Sequence, residues 1–162
     1  MRKHNILFLC TGNSARSIIA ECLLNSLGRT WFNAYSAGAS PAGEVNPFAL
    51  RLLEQKGHDI SSLRSKSWDE FTRPDAPAMD FVITVCDNAA AQPCPVWPQR
   101  PASAHWSLPD PAATQGQPDE IMAAFEKTYA SLHSRLTRLT AAASQAASRE
   151  NLLRTLKAME DL

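Results

Sequence analysis

Two short apolar runs, Asn5–Cys10 (Asn-Ile-Leu-Phe-Leu-Cys) and Asp80–Cys86 (Asp-Phe-Val-Ile-Thr-Val-Cys), constrain the fold of this chain more than any other feature. Neither alternates polar with apolar residues, so each reads as a strand buried on both faces. Such strands need helices to cover them, and the intervening sequence supplies helical patterns. Ile18, Ile19, Cys22, Leu23, Leu24 and Leu27 recur at helical spacing, with Gly28 placed to end the helix. Phe32–Ala37 alternates well enough for another strand. Asn46-Pro47 opens a helix that carries Phe48, Leu52 and Leu53 and closes near Gly57, since proline at a first helical position has a suitable φ and no N–H to lose. Ser67–Phe71 suits a short helix and Ala104–Leu108 a fourth strand, while four prolines between Ala89 and Pro101 exclude regular structure there. From Pro118 to about Leu139, Ile121, Phe125, Tyr129, Leu132, Leu136 and Leu139 hold helical spacing. Ala141–Ser148 then reads as a junction and Ser148–Leu162 as a closing helix.

Strands separated by helices imply an α/β fold of three layers, a parallel sheet with helices on its faces. The 162 residues suit a single domain spanning residues 1–162, with no internal repeat or linker. Sixteen Lys and Arg balance sixteen Asp and Glu, which gives no reason to expect a nucleic acid or a membrane surface as partner. No apolar run approaches bilayer length and no secretory signal opens the chain, so a cytoplasmic location is expected. In that compartment the four cysteines read as thiols rather than a disulfide framework.

In open parallel sheets ligands gather at the carboxyl ends of the strands. Cys10, Cys86 and Asp110 all fall at or just beyond such ends. The segment Cys10-Thr11-Gly12-Asn13-Ser14-Ala15-Arg16-Ser17 joins a strand to a helix. Gly12 and Asn13 tolerate positive φ, so the loop can turn its N–H groups inward and meet a helix N-terminus, which is a cradle for an oxyanion. Arg16 adds a planar fork for two oxygens. Within that positive field the Cys10 thiol is expected well below its ordinary pKa, with Ser17 as a hydrogen-bond donor to the thiolate. The alternative is a buried structural cysteine beside an unrelated arginine. Cys22, on the apolar face of its helix, is expected in the core.

Leu9-Cys10-Thr-Gly-Asn-Ser-Ala-Arg16-Ser17, with Ser36-Ala-Gly38 after the second strand and Asp110-Pro111 late in the chain, resembles the low-molecular-weight protein tyrosine phosphatase fold family over about residues 4–140. A C-terminal helical extension, about residues 145–162, lies outside the resemblance. The resemblance implies a four-stranded parallel sheet flanked by helices. It further implies Cys10 as nucleophile, Arg16 as oxyanion clamp, Asn13 and Ser17 as loop and thiolate supports, and Asp110 as general acid. Both phosphatases and arsenate reductases use this fold. Val85-Cys86-Asp-Asn-Ala-Ala-Ala-Gln-Pro-Cys94-Pro is similar to the redox segment of the reductases, which implies that Cys86 attacks Cys10 and Cys94 then attacks Cys86. The two alanines after Asp110-Pro111 stand where phosphotyrosine-specific members carry aromatic residues.

The resemblance thus favours an arsenate reductase, with an arsenate or phosphate oxyanion in the loop and a protein tyrosine phosphatase as the alternative. It implies no bound cofactor; electrons would come from thioredoxin, glutaredoxin, or a small thiol of the glutathione or mycothiol type. Some reductases of this fold bind potassium through residues that look like Asn13, Glu21 and Ser36, although Glu21 also reads as a helix-face carboxylate and Ser36 as a turn residue. The four histidines show no metal-ligand spacing, and His105 reads as a packed strand residue.

Overall fold

The computed structural model describes residues 2–87, 95 and 97–162. Four strands, β1 (His4–Cys10), β2 (Phe32–Gly38), β3 (Phe81–Thr84) and β4 (Ala102–His105), form one parallel sheet in the order β2-β1-β3-β4. Helices α1 (Arg16–Leu27), α2 (Pro47–Gln55), α3 (Pro118–Gln145) and α4 (Arg149–Ala158) complete the α/β fold.

Alternation along the central strand divides the core. Ile6 and Phe8 of β1 join Ile18, Ile19 and Leu23 of α1 and Phe125, Leu132 and Leu136 of α3 in one large cluster. Leu7 and Leu9 point the other way and pack with Val82, Met79, Trp97 and Phe71, the last from a 3₁₀ turn at Trp68–Phe71. Both sides of β1 are therefore dry, as its unbroken apolar sequence requires.

Helix α1 has no side-chain cap at its start and no acidic residue in its first turn. Burial of Ile18, Ile19, Leu23 and Leu24 fixes it instead. Each such side chain contributes about 1.5–3 kcal/mol, against about 1 kcal/mol for a good cap, so packing decides. Its N-terminal amides are left for another use.

Three boundaries differ from the sequence expectation. The fourth strand ends at His105, so Leu108 lies beyond it in a loop. Strand β3 is only four residues long, although Val85 still donates to the Leu9 carbonyl. Helix α3 runs through Gln145 and absorbs most of the expected junction, because an alanine-rich stretch costs nothing to keep helical. The C-terminal helix α4 docks through Leu152 and Leu156. The indole of Trp106 donates to the Leu156 carbonyl at 3.0 Å. Buried Arg135 lies over the Trp106 ring and donates to the Met159 and Leu162 carbonyls.

Candidate active site

The loop between β1 and α1 is held from outside. Carbonyls of Thr11, Gly12 and Ser14 accept from the N–H groups of Ser40, Ala42 and Asn46, each at 2.9 Å, and Ser65 Oγ donates to the Gly12 carbonyl. With these carbonyls turned outward, no acceptor among the described residues takes the N–H groups of residues 12–15. Asn13 alone in the loop has positive φ, +46°, and is fully buried. Its Nδ2 donates to Ser17 Oγ at 2.8 Å and its Oδ1 accepts from the Lys66 N–H at 2.9 Å. Asparagine suits both demands, since it tolerates the left-handed region and carries a donor and an acceptor.

Gly12, expected to share that conformation, does not adopt it, and a Cβ there would meet only Ser14 Oγ at 3.7 Å. The glycine that matters sterically is Gly38, paired with Cys10 across the sheet. A Cβ on it would lie 2.5 Å from the Thr11 carbonyl. Sequence reading singled out Gly38 within a motif but had no way to see this close approach.

Arg16 opens α1 and turns back across the loop. Its Nη1 donates to the Leu108 carbonyl at 2.9 Å, and Nη2 lies 3.8 Å from Asp110 Oδ2. Its Nε is buried without a hydrogen-bond partner among the described residues. A buried guanidinium N–H left unsatisfied is costly, and an oxyanion in the loop would satisfy it. Asp110 also caps the 3₁₀ turn Pro111–Ala113, accepting from the Ala112 N–H at 3.0 Å. It is therefore both a turn residue and a neighbour of Arg16.

Cys10 and Cys86 come together. The register pairs Leu9 with Thr84, so two residues past the end of β3 the chain brings Cys86 beside Cys10 at the end of β1. Both are buried, the two thiols are close enough to interact, and Thr11 Oγ1 lies 3.6 Å from Cys86 Sγ. The neighbouring Cys86 thiol and then burial push the Cys10 thiol up from its ordinary value, while Arg16 and the Thr11 N–H pull it down. That overturns the expectation of a simply depressed thiol. Two adjacent thiols cannot both ionise easily: the first proton leaves in the field of Arg16, and the second must leave against a neighbouring thiolate. Cys22 sits in the core as expected, its thiol pushed up to about 11 chiefly by burial.

Ser17 is fixed by Asn13, and that bond leaves its own hydroxyl proton unused. Cys94 lies outside the described residues. His105 is not simply packed: both ring nitrogens are engaged, by Thr84 and Asp87.

Of the three residues in the potassium expectation, Glu21 and Ser36 meet each other, Asn13 is tied to the Lys66 backbone, and a cation already stands beside Glu21 and Ser36. The buried Lys66 ammonium lies 3.6 Å from Glu21 Oε1, donates to Ser36 Oγ at 3.4 Å and to the Arg64 carbonyl at 2.8 Å. Ser36 Oγ donates to Glu21 at 2.5 Å, and the Asn13 carbonyl oxygen is taken by the Lys66 backbone. Nothing in Leu63-Arg-Ser-Lys66-Ser distinguishes this lysine from a surface one, so sequence reading missed it.

Burial holds the Lys66 ammonium below its ordinary value and Glu21 opposes the shift. The folded protein then releases this proton at lower pH than the unfolded chain. Stability from this residue therefore rises with pH between the depressed value and the ordinary ~10.4. Lys66→Met should cost about 3 kcal/mol in denaturant unfolding at pH 7, because it strands the Glu21 carboxylate, and Lys66→Met with Glu21→Gln should recover most of the loss. Turnover should be equal in potassium and sodium chloride at matched ionic strength.

Residues 5–151 match the family model described as low molecular weight phosphotyrosine protein phosphatase. An arsenate reductase of Bacillus licheniformis is 39% identical over 139 residues, which cover 85% of this chain and 96% of the relative. Among solved structures, an arsenate reductase from Archaeoglobus fulgidus aligns with a TM-score of 0.66 at 28% identity, covering 84% of this chain and 98% of that one. A thioredoxin-dependent arsenate reductase from Corynebacterium glutamicum aligns with a TM-score of 0.58 at 25% identity, covering 82% of this chain and 59% of that one.

Proposed function

The chain belongs to the low molecular weight phosphotyrosine protein phosphatase family, and from that premise we propose that it is an arsenate reductase. The observation that carries the choice is the second thiol: the register of β1 on β3 brings buried Cys86 beside Cys10 at the mouth of the anion loop, where the two thiols interact. A phosphatase needs one nucleophile there, whereas reduction of arsenate needs two thiols within reach of each other.

In the proposed mechanism arsenate sits in the N–H cradle of residues 12–15, with Arg16 Nε and its fork on two oxygens. The Cys10 thiolate attacks arsenic, and a hydroxyl leaves as water with a proton whose delivery we assign to Asp110, the neighbour of Arg16. The Cys86 thiolate, hydrogen-bonded by Thr11, then attacks Cys10 Sγ. A Cys10–Cys86 bond forms as the sulfur–arsenic bond breaks, and that bonding pair stays on arsenic, which leaves as arsenite. Two thiolate sulfurs have lost two electrons and arsenic has gained them. A dithiol or thiol donor must reduce the disulfide. Thioredoxin is the first choice by similarity to the Corynebacterium enzyme, with glutaredoxin or a glutathione- or mycothiol-type thiol as the alternatives and Cys94 as an intermediate relay.

We place the whole reaction in one catalytic domain, residues 1–162, since α4 shares the core of the sheet. No described helix is long and apolar enough to cross a membrane, and we assign the enzyme to the cytoplasm. A phosphatase reading is kept alive by the position of Asp110 beside Arg16, which serves an aryl leaving group equally well. Exposed Ala112 and Ala113 give such a ring no aromatic wall, a loss of about 0.5–1.5 kcal/mol per contact.

The deciding experiment supplies wild-type protein and arsenate with thioredoxin and its reductase, or with glutathione and glutaredoxin, and measures arsenite. p-Nitrophenyl phosphate hydrolysis runs in parallel. Multiple turnovers of arsenite with one donor are expected. No arsenite from any donor, with brisk aryl phosphate hydrolysis, makes the protein a phosphatase.

A further inference from the structure

His105 grips the chain on both sides of Cys86. It faces Thr84 across the β3–β4 ladder, where its Nδ1 meets Thr84 Oγ1 at 2.6 Å. Its Nε2 meets Asp87 Oδ1 at 2.8 Å. A carboxylate only accepts, so Nε2 carries a proton; in the neutral ring Nδ1 is then the acceptor for the Thr84 hydroxyl. Thr84 lies two residues before Cys86 and Asp87 one residue after it. The imidazole thus spans the short stretch that carries the thiol out of the sheet.

The histidine is itself anchored from outside the sheet. Its backbone N–H donates to Glu160 Oε2 at 2.7 Å. The next residue, Trp106, is tied to the Leu156 carbonyl. Leu156 and Glu160 both lie beyond residue 151, where the family match ends. As an ion pair the Asp87 contact is worth little, because Asp87 is largely exposed. What it supplies is geometry: strand β3 ends at Thr84, so residue 87 lies past the β3–β4 ladder, and the His105 contact ties it back to β4. A nucleophile displaced by about 1 Å loses orders of magnitude in rate.

We propose that His105 is a positioning residue for Cys86, a staple set by the C-terminal segment through Glu160 that keeps the second thiol aimed at Cys10. This rests on the assignment of Cys86 as the second thiol, and its test avoids arsenate so that the two can fail separately. Diamide oxidises the pair directly: two thiols give up two electrons and two protons to its N=N bond, forming the Cys10–Cys86 disulfide and a hydrazine. The rate of that disulfide, followed by mass spectrometry in wild type, His105→Ala, His105→Gln, Asp87→Ala and Glu160→Gln, is the readout. Alkylation of Cys10 by iodoacetamide and p-nitrophenyl phosphate hydrolysis report whether the loop itself is intact.

Disulfide formation is expected to slow about 10-fold in His105→Ala and Asp87→Ala and several-fold in Glu160→Gln, with partial rescue in His105→Gln. Cys10 alkylation and aryl phosphate hydrolysis should stay near wild type, which a merely structural residue would not allow. Asp87 is on the surface, so its variant remains informative even if His105→Ala folds poorly. Wild-type rates of disulfide formation in Asp87→Ala and a folded His105 variant, or no Cys10–Cys86 disulfide in the wild type, overturn the proposal. Staple-dependent disulfide formation in a protein that releases no arsenite supports the proposal and overturns only the reductase reading.

Discussion

Cys86→Ser is expected to stop arsenite release altogether, a loss of at least about 10³-fold in turnover, while p-nitrophenyl phosphate hydrolysis continues near the wild-type rate. Serine has nearly the shape of cysteine, so the buried site is retained and the stability change should stay within about 1 kcal/mol. A hydroxyl can donate to the Cys10 sulfur but cannot become a competing thiolate or form a disulfide. Cys86 is the largest influence raising Cys10, so its replacement should let the Cys10 thiol ionise at lower pH. The midpoint of iodoacetamide alkylation against pH checks the sign: it should move down in the variant. An unchanged arsenite rate would mean that an external thiol attacks the adduct directly.

Cys10→Ser should remove both activities, since Cys10 is the thiol that leads directly into the N–H cradle and is assigned the first covalent bond, while Cys86 is assigned the second step. The expected loss is about 10³-fold or more in each assay. Anion affinity should survive, because residues 12–15 and Arg16 hold the oxygens and are untouched. Arsenate or phosphate binding by calorimetry, set beside the two rate assays, separates the lost nucleophile from a lost cradle. Aryl phosphate hydrolysis persisting in this variant would place the nucleophile elsewhere.

Much of this architecture was legible because two strands announce themselves as unbroken apolar runs, and each run leads to a cysteine. The loop from Cys10 to Arg16 was legible for a local reason too: its glycine and asparagine tolerate the positive φ that turns N–H groups inward, and Asn13 uses it. What remained hidden depends on contacts between distant segments. Ala102–His105 reads Ala-Ser-Ala-His, too weak a pattern to mark an edge strand, so the fourth strand was expected two residues late. The meeting of Cys10 with Cys86 was expected from the strand ends and the family resemblance, whereas the register of β1 on β3 that brings it about is encoded in no local pattern. Lys66 is invisible for a related reason, since only the fold turns a loop lysine into a buried partner of Glu21. The depressed Cys10 thiol was inferred from its positive surroundings, and a second thiol from far along the chain reverses the balance.

The outward-tied carbonyls of Thr11, Gly12 and Ser14 give the cradle a fixed gauge. It measures tetrahedral shape and negative charge, and phosphate offers both as well as arsenate does. A rigid seat of this kind is a poor judge between the two oxyanions, so abundant phosphate becomes a standing competitor for the loop. Selectivity must then arise after occupancy, at the step where the central atom accepts an electron pair, which arsenic does readily and phosphorus does not. Sharpening the seat would gain little; fidelity resides in the chemistry that follows it.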